Sequence, residues 1–333
     1  MNILLLFGGE SSEHEVSLVS GRNVYDALDK TQYDVTLCYI SRDGKWQLVD
    51  SFDDLETLRG LTPVLGEKKF TVSDDSTVEV DVLLPVLHGL HGEDGDVQGL
   101  ARLLHVPYVG PSLIGAAVTM DKDVTKRLLR DANVPVVDWI MWNVNDPAPT
   151  YGFASSQLSE TLFIKPANAG SSVGVSKAVD ETSFAAALEL ASKHDNFVLI
   201  EKAVKAREIE LAVIGNEIPE VTMPGEIIPG EEFYSYEDKY AEGSSSQAVI
   251  PAPLNNELVE QLQAYAIQAY TATRGQGMAR IDFFVTDKNE IFLNEINSIP
   301  GFTNISMYPK LWQHEGLTYP QLLDRLISLA LEV

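Results

Sequence analysis

Asp282, Glu295 and Asn297 flank the turn signal Asp287-Lys288-Asn289, in two runs otherwise rich in β-branched and aromatic residues. If Lys288 and Asn289 are the central turn residues, paired positions have a constant sum, which sets Asp282 opposite Glu295 and Arg280 opposite Asn297. Residues of equal parity share a sheet face, so all four polar groups project together, with opposed Cβ atoms about 4.5–5.5 Å apart. Two carboxylates that close repel unless a cation lies between them. An oxygen-only donor set suits Mg²⁺ better than Zn²⁺. The alternative is a polar patch in which Arg280 is the counter-ion.

Three polar, glycine-dense loops each follow a short apolar run, the place where α/β proteins put chemistry. Residues 3–7 lead into Gly8-Gly9-Glu10-Ser11-Ser12-Glu13-His14-Glu15, residues 82–87 into His88-Gly89-Leu90-His91-Gly92-Glu93-Asp94-Gly95, and residues 162–165 into the loop from Pro166 to Gly174. The third joins two strands, so it is neither a P-loop nor a dinucleotide turn and would fold over a nucleotide as a flap. Gly170 and Gly174 let backbone amides approach phosphate, and Ser171 and Ser172 add hydroxyl donors. A plain glycine-serine hairpin loop is the competing reading, and Lys165 directly before the loop weighs against it. Three such loops argue for an enzyme.

These residues need a scaffold, and 333 residues exceed one core, so two or three subdomains with a cleft are expected. Residues 1–110 alternate strands (3–7, 35–40, 82–87, 108–109) with helices (16–28, 95–104), the pattern of a small parallel sheet. Ser12 and Glu15 form an S-x-x-E capping box, which leaves Glu13 free for another task. A boundary near 107–115 precedes a helix through Met120-Asp121-Lys122 to residue 130, strands on both sides of the flap, and a strand at 197–201. Residues 224–253 are rich in Gly, Pro, Ser and Tyr with little periodicity, which suggests a lid. A helix at 256–273, a hairpin at 279–297 and an amphipathic helix at 317–332 complete the chain.

The formal charge of −25 excludes phosphate backbones and anionic membrane surfaces as natural partners. A nucleotide-binding protein this acidic must concentrate its cations, which singles out Lys122, Lys165, Lys202, Lys239 and Arg280. The single cysteine, Cys38, excludes a disulfide framework or thiolate metal cluster. No apolar run approaches a membrane span and no leader precedes the first strand, so a cytoplasmic location is expected.

Taken together, the motifs resemble those of the D-alanine:D-alanine ligases, members of the ATP-grasp superfamily. The resemblance spans the chain and rests on Gly8-Gly9-x-Ser11-x-Glu13-His14-Glu15, His88-Gly89-x-x-Gly92-Glu93-Asp94-Gly95-x-x-Gln98-Gly99, Met120-Asp121-Lys122, Lys165-Pro166 with Gly170 to Gly174, Lys239-Tyr240, Arg280-Ile281-Asp282 and Asn294-Glu295-Ile296-Asn297 with Pro300-Gly301. It implies an N-terminal Rossmann-like parallel α/β domain (1–110) that binds substrate, followed by a two-subdomain ATP-grasp α+β fold. Residues 111–201 would carry the phosphate flap, and residues 202–333 the lid and metal site.

The resemblance also implies the chemistry. ATP phosphorylates the carboxylate of one D-alanine, and the amine of a second attacks the acyl phosphate. Lys122, Lys165, Ser172 and Lys239 would meet the phosphates, Glu201, Lys202 and Val204 the adenine, and Glu208 the ribose, with Asn294 in the nucleotide set. Asp282, Glu295 and Asn297 would hold two Mg²⁺, for which Mn²⁺ could substitute. Glu13 would bind the first ammonium and His88 lie near its carboxylate. Arg280 and the Gly301 amide would stabilise the oxyanion, and Ser306 and Met307 receive the second substrate. Tyr240, Ser171 and Glu13 would form a network across the closed cleft, with Tyr240 favouring an amine over a hydroxy acid. Departures from the family pattern are Ala279 before the Arg-x-Asp strand, Met307 where leucine is usual, and Ala206-Arg207 ahead of Glu208. The family also suggests a homodimer. A different ATP-grasp ligase would keep the flap and metal hairpin but lack the Glu13 and His88 loops. A non-enzymatic nucleotide-binding module would explain the lysines but not the paired carboxylates. Nearer alternatives are ligases that join D-alanine to D-lactate or D-serine.

Overall fold

The structure is a computed structural model, and it describes residues 1–55, 58–170, 173–228 and 247–333. Ser171, Ser172, Lys239 and Tyr240 lie outside the described residues, as does most of the expected lid.

The first sheet is built on β1 (Asn2–Gly8), an unbroken apolar run buried on both faces, as a central parallel strand requires. It pairs in parallel with β2 (Asp34–Ile40) on one side and, on the other, with a strand at Val82–Pro85. The expected small parallel sheet is thus only part of the observed one. Four antiparallel strands, β3 (Trp46–Val49), β4 (Arg59–Val64), β5 (Lys69–Val72) and β6 (Thr77–Glu79), extend it beyond β2, so the Val82–Pro85 strand is β7 and the order is β6-β5-β4-β3-β2-β1-β7. Of these strands, β5 buries the alternate residues Phe70 and Val72 and β4 buries Leu61, while β3 buries both Leu48 and Val49. Tyr108 makes an isolated bridge to Leu83 rather than a strand. Helix α1 (His14–Ala27) packs on β1, where a Cβ at Gly21 would meet that of Phe7 at 2.8 Å. The expected capping box is absent: Glu13 is the N-cap residue without a side-chain cap, and Glu15 instead pairs with Arg42 at 2.7 Å. Glu13 and Glu15 still part company, one buried and one exposed. Helix α2 (Asp96–Leu104) follows the His88 loop.

The helix expected through residues 120–130 is two helices, α3 (Leu113–Met120) and α4 (Lys122–Asp131). The break falls at Asp121, whose extended backbone lets its carboxylate accept from Val124 N at 3.0 Å and cap α4. A second sheet follows, antiparallel throughout, from β8 (Trp139–Asn143), β9 (Leu162–Pro166), β10 (Ser176–Ala178) and β11 (Phe197–Lys202) in the order β10-β9-β11-β8. Helices α5 (Tyr151–Gln157) and α6 (Glu181–Ser192) cover it, and their contact forms a separate core around Ile164, Phe184 and Ile200.

The third sheet holds β12 (Ala206–Ile214), β13 (Glu220–Val221), β14 (Gly225–Ile228), β15 (Gln247–Val249), β16 (Met278–Thr286) and β17 (Ile291–Asn297), with α7 (Asn256–Ala272) on one face. The segment read as aperiodic, 224–253, therefore contributes two strands: β14 and β15 pair antiparallel at Glu226 with Val249, Ile227 with Ala248 and Ile228 with Gln247. Helices α8 (Met307–His314) and α9 (Tyr319–Leu331) close the chain. They pack against the first sheet, so that Tyr308, Trp312, Leu322 and Leu326 share a core with Ile3, Leu5 and Phe7. Cys38 is buried, as its strand context implied. Among the described residues no helix is long and apolar enough to cross a membrane.

Candidate active site

The hairpin expected to hold metal forms, by a route different from the one its sequence suggests. The turn has three residues rather than two: Thr286 N bonds to Glu290 O at 2.9 Å, and Asn289 takes φ +63°. Pairing next to the turn is accordingly shifted by one, with Val285 opposite Ile291 and Phe283 opposite Leu293. A β-bulge at Asn294 then restores the register, and Asp282 faces Glu295 and Arg280 faces Asn297 as the constant-sum argument required. A third carboxylate joins the row from β12, where Glu210 is paired with Asp282.

Arg280 is locked into this row. Its Nε and Nη2 donate to both oxygens of Asp282 at 2.8 and 2.7 Å, and Nε lies 3.1 Å from Glu210 Oε2. Asn297 Nδ2 donates to Asp282 Oδ2 at 2.9 Å. Burial works against the guanidinium's charge, but the carboxylates Asp282, Glu210 and Glu295 outweigh it and raise the pKa further above the ordinary arginine value. The counter-ion role weighed as the alternative for Arg280 is therefore real, and it coexists with a surplus of acid. Asp282 Oδ2 is used by both Arg280 and Asn297, while Oδ1 accepts a single bond and Asn297 keeps its amide oxygen, so the oxygen donor set fits a hard divalent cation.

The N-terminal loops meet this sheet from the other side of the cleft. Glu13 is buried, and its Oε2 lies where side chains at Gly89 (2.9 Å to an ideal Cβ) and Gly170 (2.7 Å) would be. Both glycines are thus needed so that the acid can lie against the His88 loop and the flap at once. Ser11 Oγ ties these loops together, donating to His88 O at 2.6 Å and accepting from Glu13 N at 3.0 Å. The His88 ring is buried between Ile299 O (3.1 Å from Nδ1) and Ser20 Oγ (3.2 Å from Nε2). Burial holds its pKa below the ordinary histidine value despite the nearby Glu13.

Glu93, to which its motif alone gave no role, proves to be a bridge between loops. One oxygen accepts from Gly89 N at 2.8 Å and the other from Ile299 N at 3.0 Å. Burial, with Glu13 and Glu295 nearby, pushes its carboxyl up to about 8 against the pull of the two amides. Burial is the main cause of that shift, and only the part due to Glu13 and Glu295 is what a divalent cation would relieve.

The central unit supplies cations. Lys122 opens α4 and donates from Nζ to Ala169 O at 2.6 Å, beside the flap, where burial lowers its pKa and Glu295 raises it. Lys165 is the next-to-last residue of β9, with Nζ 2.9 Å from Glu201 Oε2. The other oxygen of Glu201 lies 2.8 Å from Lys126 Nζ, a buried lysine to which sequence reasoning gave no role. The Glu201 carboxylate is therefore committed to two lysines, which leaves its backbone for any contact with a base. Lys202 is exposed at the end of β11, and Val204 and Glu208 are half-buried, before and within the first residues of β12.

In the loop expected to receive the second substrate, Gly301 lies against Ser306: an ideal Cβ there would be 2.7 Å from Ser306 Oγ. Ser306 Oγ accepts from Thr303 N at 3.0 Å. The Met307 side chain faces the core against Gly225, so only its backbone is available to a substrate. Glu13, His88, Lys122, Lys165, Arg280, Asp282, Glu295, Asn297 and the Gly301 loop are brought to one cleft; the Met307 side chain is not.

Comparison with known proteins agrees with this arrangement. Family models described as D-ala D-ala ligase N-terminus and D-ala D-ala ligase C-terminus match residues 2–111 and 128–328. The D-alanine--D-alanine ligase of Sodalis glossinidius is 48% identical over 345 residues, covering 98% of this chain and 94% of the relative. D-alanine--D-alanine ligase A of Escherichia coli K12 is 43% identical over 349 residues, covering 100% and 96%. Among solved structures, the D-alanine-D-alanine ligase from Coxiella burnetii superposes with TM-score 0.90 at 37% identity, covering 100% of this chain and 94% of that one. The VanG D-Ala:D-Ser ligase from Enterococcus faecalis gives TM-score 0.88 at 33% identity, covering 99% of both.

Proposed function

The chain belongs to the D-alanine:D-alanine ligase family, and on that premise we propose how its residues carry out the reaction. That reaction is the ATP-dependent joining of two D-alanines into D-alanyl-D-alanine for peptidoglycan precursors, with ATP and a divalent metal as cofactors. The observation that carries the residue-level reading is the position of Glu13, an acid suited to an ammonium group lying directly against the glycine of the flap.

In this reading Glu13 takes the ammonium of the first D-alanine, and neutral His88, fixed by Ser20 and Ile299, borders its carboxylate. Lys122 and Lys165 neutralise the polyphosphate, with Ser172 and Lys239 completing the set. The γ-phosphoryl group passes from ATP to a carboxylate oxygen, which leaves ADP and an acyl phosphate. Such a transfer depends on positioning and charge neutralisation more than on covalent help from the protein. The second amine, once it has lost a proton, attacks the carbonyl carbon. Arg280 and the Gly301 amide hold the resulting oxyanion, and expulsion of phosphate completes the peptide bond. Asp282, Glu295 and Asn297 are the proposed metal ligands, for two Mg²⁺ with Mn²⁺ as substitute; the bound metal supplies neutralisation of phosphate oxygens. Glu201, Lys202, Val204, Glu208 and Asn294 form the proposed nucleotide pocket, and Ser306 with the Met307 backbone the acceptor pocket. Tyr240 with Ser171 and Glu13 is the proposed selector of amine over hydroxy acid.

The proposed units are 1–110, 111–201 and 202–333, in a cytoplasmic homodimer. The test is phosphate release and product mass with ATP and D-alanine, with D-serine and D-lactate offered as second substrates. Phosphate release that needs both ATP and D-alanine, with dipeptide as the main product, is expected. A main product containing D-lactate or D-serine would overturn the acceptor assignment.

A further inference from the structure

Helix α4 carries Lys122 and Lys126 four residues apart, hence on one side of the helix. Lys122 reaches the flap. Lys126 lies deeper, with its Nζ 3.0 Å from Val137 O, 2.8 Å from Glu201 Oε1 and 5.4 Å from the centroid of the Trp139 ring. Glu201 is shared, its other oxygen meeting Lys165 at 2.9 Å. Side-chain exposures of 3% for Lys126, 6% for Glu201 and 10% for Lys165 mean that water screens these charges weakly. Burial holds the Lys126 pKa below the ordinary lysine value against the pull of Glu201, and both lysines together hold the Glu201 carboxyl low against burial.

The sum of charges is informative. Glu201 with Lys165 alone is a neutral pair, in which the carboxylate 2.9 Å away cancels whatever the ammonium offers to a ligand. With Lys126 on the other oxygen, the three groups carry one net positive charge, and Lys165 is the member nearest the surface. Glu201 also orients Lys165, so a chain without Glu201 would lose that constraint.

We infer that Lys126 is a positioning residue for the ligase reaction: by occupying one oxygen of Glu201, it lets the other hold Lys165 in place while leaving a full positive charge for the ATP phosphates. Lys126 would act through Glu201 and Lys165, its own contacts being Val137 O, Glu201 and the Trp139 ring. The inference rests on the reading of Lys165 as a phosphate ligand, and a purely structural ion pair is its competitor.

Two variants separate the possibilities, each measured in the full chain by calorimetric titration with ATP and Mg²⁺ and by thermal unfolding. Lys126→Met leaves the neutral Glu201–Lys165 pair and should weaken ATP binding about 10- to 100-fold, the range for loss of one charge-assisted contact. Adding Glu201→Gln restores the net charge at Lys165 and should recover most of that loss. A structural ion pair predicts otherwise, with the double variant binding ATP no better than Lys126→Met, and that result overturns the inference. If Lys126→Met alone fails to fold, the double variant, in which Lys165 carries the same single net positive charge as the wild-type cluster, is compared with wild type: binding within about tenfold supports the inference and a greater loss overturns it. Lys165→Met tests the underlying reading. Unchanged ATP affinity in Lys165→Met sinks the phosphate assignment itself, whereas weakened affinity there with unchanged affinity in Lys126→Met sinks only the role given to Lys126.

Discussion

Arg280 and Glu93 show how neighbouring carboxylates raise the pKa of a base and of an acid alike, fixing the charge on one and disfavouring it on the other. Arg280 is held in a rigid fork by Asp282 and Glu210, so truncation would strand buried carboxylates and confound catalysis with folding. Arg280→Lys keeps the charge and loses the fork. It should fold, lose on the order of 10²–10³ in kcat, the usual cost of one oxyanion donor, and change ATP affinity by less than about tenfold in calorimetry. Equal losses in both would make Arg280 a nucleotide contact. Glu93 responds to pH. Its carboxyl is raised from 4.5 to about 8 in the folded chain, so between those values the folded state keeps a proton that the unfolded state has released. Stability should therefore fall as pH rises through that window, by at most about 1.4 kcal/mol per unit. His88 acts with the opposite sign: its lowered pKa costs stability as pH drops below the ordinary histidine value. Urea unfolding of metal-free wild type and Glu93→Gln at about pH 5.5, 6.5 and 7.5 isolates the Glu93 contribution. The stability difference should move in favour of Glu93→Gln as pH rises, and a constant difference would mean that Glu93 ionises normally.

At the scale of elements, α4 matters because one cap sets two lysines. Asp121 accepts from Val124 N at 3.0 Å, and the helix it starts bears Lys122 at its first residue and Lys126 one turn on. Asp121→Ala should cost about 1 kcal/mol of stability and raise the KM for ATP a few-fold, whereas Asp121→Asn, which can cap, should do neither. Chemical denaturation and steady-state kinetics would check both, and an unchanged Asp121→Ala protein would show the cap to be redundant. The polar residues of the cleft were legible in the sequence because a glycine-dense loop after an apolar run seldom serves packing alone. Their buried partners were not. Glu93, Lys126 and Glu210 acquire their roles from Ile299, Glu201 and Arg280, which lie 206, 75 and 70 positions away, and no local pattern encodes such pairings. The hairpin differs again. Its turn is one residue longer than the turn signal implies and the bulge at Asn294 corrects the register, so the facing pairs are right for an incomplete reason. A constant sum holds only where no bulge intervenes. Strands β3–β6 and the β14–β15 pair leave little trace in the sequence because short strands covered on one face carry a weak apolar signal.

Across the whole molecule, the unit read as N-terminal does not own its core. One face of β1 and β7 is covered by α8 and α9, from the opposite end of the chain, through Tyr308, Trp312, Leu322 and Leu326. Tyr33 donates to Asp324 at 2.9 Å, and Tyr319 donates to Phe302 O at 2.8 Å on the loop that faces Ser20. The central sheet differs, since among the described residues its apolar cluster draws only on those from 140 to 200. Closing the chain in this way has a functional consequence, because the Ile299–Phe302 loop that meets His88 and Glu93 is anchored by the same helices. The proposed boundary at residue 110 thus falls between segments that share a core, and 1–110 is not expected to be stable alone. Residues 1–110 expressed alone should lack the cover for Ile3, Leu5 and Phe7, bind a hydrophobic dye and melt without a cooperative transition. Mixing that fragment with residues 111–333 should restore a cooperative melt together with ligase activity, since the helices return to the sheet. A fragment 1–110 that melts cooperatively and ignores the dye would show that the shared core is dispensable, and the N-terminal segment would then be a domain in the strict sense.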